Sequence, residues 1–154
     1  MKAISLFSGV GGFEIGFERA GIRTVLQAEC DPWCLEVLAR HWPDVERVTD
    51  VRSVGRRWRP QRVEGWQGAI PASAGCEARA HVDLVYGGFP CQVLSVAGKR
   101  AGLGGERSGL WHEYARVLAL LQPAWVCIEN VPGLLSSAGG RDFGALLADL
   151  VELG

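Results

Sequence analysis

The stretch Lys2-Ala-Ile-Ser-Leu-Phe-Ser-Gly-Val-Gly-Gly12 decides the fold. It starts as a mainly apolar run of strand length and passes directly into a glycine-rich turn. The residues from Phe13 to Ala20 then have the apolar spacing of a short helix, which Gly21 ends. A strand, a tight turn and a helix in this order predict the start of a βαβ unit.

The same order recurs along the rest of the chain. Asp31 and Pro32 indicate the start of a second helix, because aspartate caps helices and proline fits their first turn. Further strands are predicted over residues 23–28, 45–48, 82–86 and 125–128, and further helices from Ser108 and from about Asp142. This alternation predicts an α/β fold in which a mostly parallel sheet has helices on both faces.

Two segments lack a regular pattern. Residues 52–81 begin with several arginines and continue with many small residues. We interpret this segment as a solvated insertion, with a phosphate-facing loop as the alternative. Residues 87–107 are rich in glycine, which is typical of a mobile loop such as an active-site lid.

The composition limits the class of protein. A chain of 154 residues is about one domain, and its net charge of −1 argues against binding dominated by phosphate contacts. The five cysteines form no C-x-x-C pair and only three histidines accompany them, so we expect neither a metal site nor a disulfide framework. Neither a signal peptide nor a membrane span is recognisable, and we expect a soluble, cytoplasmic protein without a membrane partner.

The chemically interesting residues follow the predicted strands. In a parallel sheet the carboxyl ends of the strands share one edge, and ligands bind beyond that edge. The residues at these ends are Gly9 to Gly12, Glu29, Asp50, Cys91 and Glu129. Glu29 is suitably placed to accept the hydroxyls of a ribose. Glu14 stands where a dinucleotide fingerprint has its third glycine, so the turn favours a nucleoside without phosphates over NAD.

Cys91 follows a buried strand, two glycines, Phe89 and Pro90. A thiolate on such a turn is placed for nucleophilic attack. Taken alone, a free cysteine is more often a small buried apolar residue.

Three motifs in register resemble the cytosine-5 DNA methyltransferases: Leu6 to Gly12, Gly88 to Gln92, and Glu129 to Val131. The similarity extends to Ala97–Arg100 and Glu106–Trp111 and so covers nearly the whole chain. The resemblance implies the Rossmann-like fold of methyltransferases that use S-adenosylmethionine, and DNA as the substrate.

The resemblance also implies a binding site for S-adenosylmethionine. Phe7 is expected near the adenine, the backbone of Ser8, Gly9, Val10, Gly11 and Gly12 at the methionine part, and Glu29 at the ribose. Asp50 and Val51 are expected to read the adenine edge, while Pro90 and Leu110 line the pocket. For Phe7 and Leu110, ordinary core packing is the alternative.

The catalytic residues that the resemblance implies are Cys91 and Glu129. The thiolate of Cys91 would add to C6 of a cytosine flipped out of duplex DNA, and Glu129 would stabilise the adduct at N3 and N4. The substrate-binding residues would be Gln92, Ser95, Lys99, Arg100 and Asn130, with Lys99 and Arg100 at backbone phosphates.

Members of the family continue beyond the Glu129-Asn-Val131 motif, with a target-recognition region and a closing segment. We therefore expect residues 1–154 to be the N-terminal part of the catalytic domain, with a sheet that is incomplete at its C-terminal side. A complementary C-terminal chain is a possible partner, because strand 125–128 would lie on an open edge. The alternatives are a tRNA cytosine-5 methyltransferase, a non-catalytic donor-binding fragment or subunit of a split enzyme, and a nicotinamide-dependent oxidoreductase.

Overall fold

The computed structural model describes residues 1–55, 82–90 and 109–154. The strands are β1 (Lys2–Leu6), β2 (Arg23–Ala28), β3 (Glu46–Val48), β4 (Leu84–Gly87) and β5 (Trp125–Ile128). The helices are α1 (Gly12–Arg19), α2 (Pro32–His41), α3 (Gly109–Leu121), α4 (Gly133–Ser136) and α5 (Arg141–Leu153). Short 3₁₀ turns span Val51–Ser53 and Ser137–Gly140.

The five strands form one parallel sheet in the order β3-β2-β1-β4-β5. The chain first builds outward from β1 through β2 and β3, and then returns to place β4 on the other side of β1. The strand order therefore reverses between β1 and β4, where Ile4 lies opposite Val85. In open parallel sheets this reversal opens a crevice at the carboxyl edge, which is where ligands bind.

Helices cover both faces of the sheet, as the sequence predicts. On one face Phe13 and Phe17 of α1 pack on Tyr86 of β4, with ring centroids 5.7 and 4.6 Å apart. On the other face Ile4 belongs to the core cluster that includes Trp111 of α3 and Leu146 of α5. Successive strand residues alternate between these faces, so both must carry apolar side chains.

Most predicted elements are confirmed within one or two residues, and the differences have local causes. β1 was predicted from Lys2 to Phe7 and ends at Leu6, because Phe7 has a φ of +56°, which no strand residue adopts. β3 starts one residue later than predicted, because the amide of Val45 closes a turn onto the carbonyl of Trp42.

α4 and the 3₁₀ turn after it were not predicted. The start of α2 is confirmed, since the Asp31 side chain accepts from the amides of Trp33 and Cys34.

Candidate active site

The glycine turn after β1 has a backbone that demands glycine at two positions. Gly9 and Gly11 have φ values of +55° and +87°, a region that other residues rarely adopt. A Cβ at Gly11 would also lie 2.3 Å from Cζ3 of Trp42, whose ring packs against the turn. By contrast, a Cβ at Gly9 or Gly12 would meet no atom within 4 Å, so the turn has open space at these positions.

Glu29 lies beside this turn, as predicted. Its Oε2 accepts from the amide of Gly9 at 2.7 Å, and its Oε1 accepts from the amides of Cys30 at 2.7 Å and Asp31 at 2.8 Å. Each carboxylate oxygen accepts about two hydrogen bonds. Oε1 is therefore satisfied, and Oε2 keeps one acceptor position for a further donor.

Asp50 and Val51 follow β3 at the same edge of the sheet. Oδ1 of Asp50 accepts from the amide of Arg52 at 2.9 Å and from its Nε at 3.0 Å, so Asp50 caps the 3₁₀ turn. This interaction raises the pKa of the Arg52 guanidinium. Val51 is buried, and its side chain belongs to the core.

Arg116 of α3 supports this segment, and this role was not predicted from the sequence. Its guanidinium donates to the carbonyls of Val54 at 3.0 Å and Val51 at 3.3 Å, and it pairs with Glu113 at 2.6 Å. An arginine near the middle of a largely apolar helix was the available signal. The two carbonyl partners could not be inferred, because Val51 and Val54 lie more than sixty residues away along the chain.

Three of the expected pocket residues are half-buried. Phe7 and Leu110 both pack against the main core cluster, and the ring of Phe7 stacks on Tyr114 with centroids 6.4 Å apart. Both residues therefore contact the core and keep part of their surface exposed. Pro90 is also half-buried, at the last described position before Cys91.

Glu129 lies next to the chain segment that leads to Cys91. Its amide donates to the carbonyl of Gly87 at 3.2 Å. A Cβ added at Gly88 would lie 2.4 Å from Oε2 of Glu129, so the carboxyl group rests directly against Gly88. Gly87 is also required, because a Cβ there would lie 1.7 Å from the carbonyl oxygen of Leu6.

Asn130 ties the same two segments together. Its Nδ2 donates to the carbonyl of Phe89 at 3.3 Å, and its Oδ1 accepts from the amide of Val131 at 2.9 Å. Both ends of this side chain therefore have protein partners, and its visible contacts hold the turn. The other expected site residues, Cys91, Gln92, Ser95, Lys99 and Arg100, lie outside the described residues.

Glu14 requires a correction. Its place in the sequence was used above as an argument against a ligand with phosphates, but the residue is only 1% exposed and its Oε1 faces Nε2 of Gln27 at 3.4 Å. Burial raises the pKa of this carboxyl. The carboxyl is thus withdrawn from any ligand above the turn, and it gives no argument against a phosphate-bearing ligand.

Within the described ranges, no group of three or more His, Cys, Asp or Glu side chains could hold a metal ion. The same part of the chain has no helix that is long and apolar enough to span a membrane.

Comparison with known proteins decides the family. A model of the C-5 cytosine-specific DNA methylases matches residues 1–154. The chain belongs to this family. It is 34% identical to the Type II methyltransferase M2.BsuMI of Bacillus subtilis over 100% of the chain, and 34% identical to M.AquIA of Picosynechococcus over 96% of it. The resemblance seen in the three motifs is thereby confirmed.

Solved structures confirm the Rossmann-like fold. A protein described as a DNA modification methyltransferase encoded within a prophage (E. coli) superposes with a TM-score of 0.70 at 23% identity, over 99% of this chain and 38% of that one. DNMT2 of Spodoptera frugiperda superposes with a TM-score of 0.61 at 18% identity, over 96% and 40%. The chain spans 35% of the length of M2.BsuMI and 55% of that of M.AquIA.

Proposed function

We propose that this methylase chain forms the N-terminal part, residues 1–154, of the catalytic domain of a DNA (cytosine-5)-methyltransferase. The observation that carries the proposal is the contact between the Glu129 carboxyl and Gly88. This contact brings a carboxyl group to the backbone that leads to Cys91, at the same sheet edge as the glycine turn and Glu29.

S-adenosylmethionine is the donor in this proposal, and the described residues fit it. The open space at Gly9 and Gly12 leaves room for the methionine part. The unused acceptor position on Oε2 of Glu29 suits one ribose hydroxyl. Asp50 and Val51 would meet the adenine edge, with Phe7, Pro90 and Leu110 at the pocket wall. The donor supplies an electrophilic methyl group on a sulfonium.

Cys91 and Glu129 would then act on the cytosine. The Cys91 thiolate forms a bond to C6, which breaks the aromaticity and makes C5 nucleophilic. Glu129 stabilises the adduct through hydrogen bonds at N3 and N4, and C5 forms its bond to the methyl group as the S–CH₃ bond breaks. Loss of the C5 proton to a base re-forms the C5–C6 double bond and expels the Cys91 thiolate.

Duplex DNA is the proposed partner, because C6 is reached only when the base is flipped out of the stack. Lys99, Arg100, Gln92 and Ser95 would contact the DNA. The proposal includes a cytoplasmic location, in which the enzyme has access to duplex DNA. A tRNA substrate is the alternative that the assay below separates.

The rest of the enzyme, in the same or a complementary chain, would pack beside β5. In the described sheet β5 is an outer strand, and Trp125 is 66% exposed. An apolar groove of about 500 Å³ lies between β5, α4 and α5, with Ile128, Leu135 and Leu147 in its lining. Apolar grooves beside an outer strand are typical surfaces for association.

The experiment that tests the proposal measures transfer of a labelled methyl group from S-adenosylmethionine to duplex DNA and, separately, to tRNA. It uses the complete enzyme that contains this chain. We expect label at C5 of cytosine in DNA. Label in tRNA alone would contradict the DNA assignment, and an enzyme that labels neither would contradict the proposal.

A further inference from the structure

A buried polar cluster lies under α1, on the face of the sheet away from the main core. Its members come from β1, α1, β2 and β4, and each is at most 8% exposed: Ser5, Glu14, Thr24, Gln27 and Tyr86. Thr24 and Tyr86 share a hydrogen bond of 2.7 Å between their hydroxyls. Polar groups at this depth are costly unless they are paired, so their partners show what the cluster does.

Gln27 connects the cluster to β3. Its Oε1 accepts from Nη1 of Arg47 at 3.2 Å, which turns its Nε2 towards Oε1 of Glu14 at 3.4 Å. The same Nη1 donates to the carbonyl of Trp42 at 2.7 Å. Since the Trp42 ring packs on Gly11, Arg47 supports the glycine turn through Trp42, while Gln27 supports the start of α1 through Glu14.

Two oxygens of the cluster lack hydrogen-bond partners within the described chain: Oγ of Ser5 and Oε2 of Glu14. An ionised carboxylate with an unpaired buried oxygen is strongly unfavourable, whereas a carboxylic acid has one O–H to donate. The hydroxyls of Ser5 and Ser8 and the amide of Gln27 act on the Glu14 carboxyl and offset part of the rise in its pKa that burial causes. A neutral Glu14 can therefore donate to a neighbouring hydroxyl and accept from Gln27 at the same time.

We propose that Glu14 is a positioning residue of the donor site: as a buried, neutral carboxylic acid it joins the start of α1 to β2 and fixes the glycine turn from beneath. Glu14 is the third residue of α1, two positions after Gly12, and the Ser8 hydroxyl at the other end of the turn lowers the pKa of its carboxyl slightly against the rise from burial. The hydrogen bond between Glu14 and Gln27 therefore anchors the start of the helix that follows the turn. This inference rests on the proposed function, because the turn matters only if it holds the donor.

The test compares three variants of the full chain. Glu14→Gln keeps a neutral side chain with a donor and an acceptor, Glu14→Leu keeps the approximate size without either, and Glu36→Gln makes the same substitution on the exposed surface of α2. Calorimetry with S-adenosylmethionine gives the Kd, and hydrogen exchange gives the protection of the amides in residues 8–12. Urea unfolding shows whether each variant is folded.

We expect Glu14→Gln and Glu36→Gln to bind within about twofold of the wild type. Glu14→Leu should weaken binding about tenfold and speed exchange in the turn by a similar factor, as for one lost hydrogen bond. Unchanged Kd and exchange in Glu14→Leu would overturn the inference.

If Glu14→Leu does not fold, the Glu14→Gln variant decides. A Kd that rises about tenfold in Glu14→Gln overturns the inference, and a Kd that stays at the wild-type value supports it. If the wild type binds no donor, the proposed function fails, and the exchange rates alone decide the inference.

Discussion

At the scale of single residues, the candidate active site depends on side chains that contact residues far from them in the sequence. Glu129 rests on Gly88, Glu29 accepts from Gly9, and Glu14 is buried against Gln27. The sequence predicted that Gly9, Glu29 and Glu129 share one edge of the sheet, because the ends of parallel strands lie there, but it predicted neither of the first two contacts. The place of Glu14 was predicted wrongly, because a position in the first turn of a helix does not reveal which side of the helix is covered.

Glu14 gives a prediction for stability against pH. Burial holds its pKa in the folded protein above the value of 4.5 that applies when the carboxyl is solvated. At a pH between the pKa of the unfolded and that of the folded state, the unfolded chain releases a proton that the folded chain retains. The contribution of the Glu14 carboxyl to the free energy of unfolding is therefore complete below about pH 4.5 and is lost as the pH rises towards the folded pKa. We expect Glu14→Gln to remove this decline, as measured by urea unfolding at several pH values. A decline that persists in the variant would contradict the assignment.

Gly88→Ala tests the contact with Glu129. The new Cβ would lie 2.4 Å from Oε2, so the carboxyl group must move. A displacement of about 1 Å at a reacting centre can cost ~10²-fold in rate. We expect methyl transfer by the complete enzyme to fall by about that factor while the Kd for the donor stays unchanged. Gly144→Ala, on α5 where a Cβ meets no atom within 4 Å, is the matched control. Equal rates in both variants would show that the contact is unimportant.

At the scale of elements, the structure shows which features local sequence can predict. The Asp31 cap was predictable because its hydrogen bonds reach only two and three residues ahead. The segment after β5 was not predictable in the same way. Ala138 and Gly139 have φ values of +49° and +71°, and these angles break the backbone between α4 and α5. The support of the Val51 turn by Arg116 was also unpredictable, since it depends on where α3 packs.

Arg116→Ala should loosen the 3₁₀ turn at Val51–Ser53. It removes charge-assisted hydrogen bonds to the carbonyls of Val51 and Val54 from a side chain that is only 27% exposed. We expect the free energy of unfolding to drop by about 2 kcal/mol, measured in urea. Arg40→Ala is the control, because its pair with Glu36 is exposed and 4.0 Å long, and it should cost little. A result in which both variants cost the same would contradict the proposed support.

At the scale of the whole molecule, the described sheet has one polar and one apolar outer strand. β3 reads Glu-Arg-Val, whereas β5 reads Trp-Val-Cys-Ile and continues into the apolar groove. Residues 125–128 were predicted to form an apolar strand on an open edge, and β5 occupies that position among the described strands.

Val126→Lys should reduce self-association of the isolated chain. Val126 is 38% exposed on β5, and a lysine on an outer strand disfavours pairing with another strand. We expect sedimentation to show a shift towards monomer. Ile15→Lys, which charges an apolar residue that is 46% exposed on α1, should leave association unchanged. Association that falls equally in both variants would indicate a general effect of charge instead of a specific edge.

Cys91 and Glu129 are proposed to hold one cytosine between them, and covalent trapping measures this directly. DNA that contains 5-fluorocytosine permits the addition at C6 but has no C5 proton to lose, so the Cys91–C6 bond cannot be released. With S-adenosylmethionine and the complete enzyme, we predict a denaturation-resistant adduct that peptide mass spectrometry places on Cys91. Cys91→Ser should form none, and Glu129→Gln should form it far more slowly. An adduct on another residue, or methyl transfer that persists in Cys91→Ser, would contradict the account.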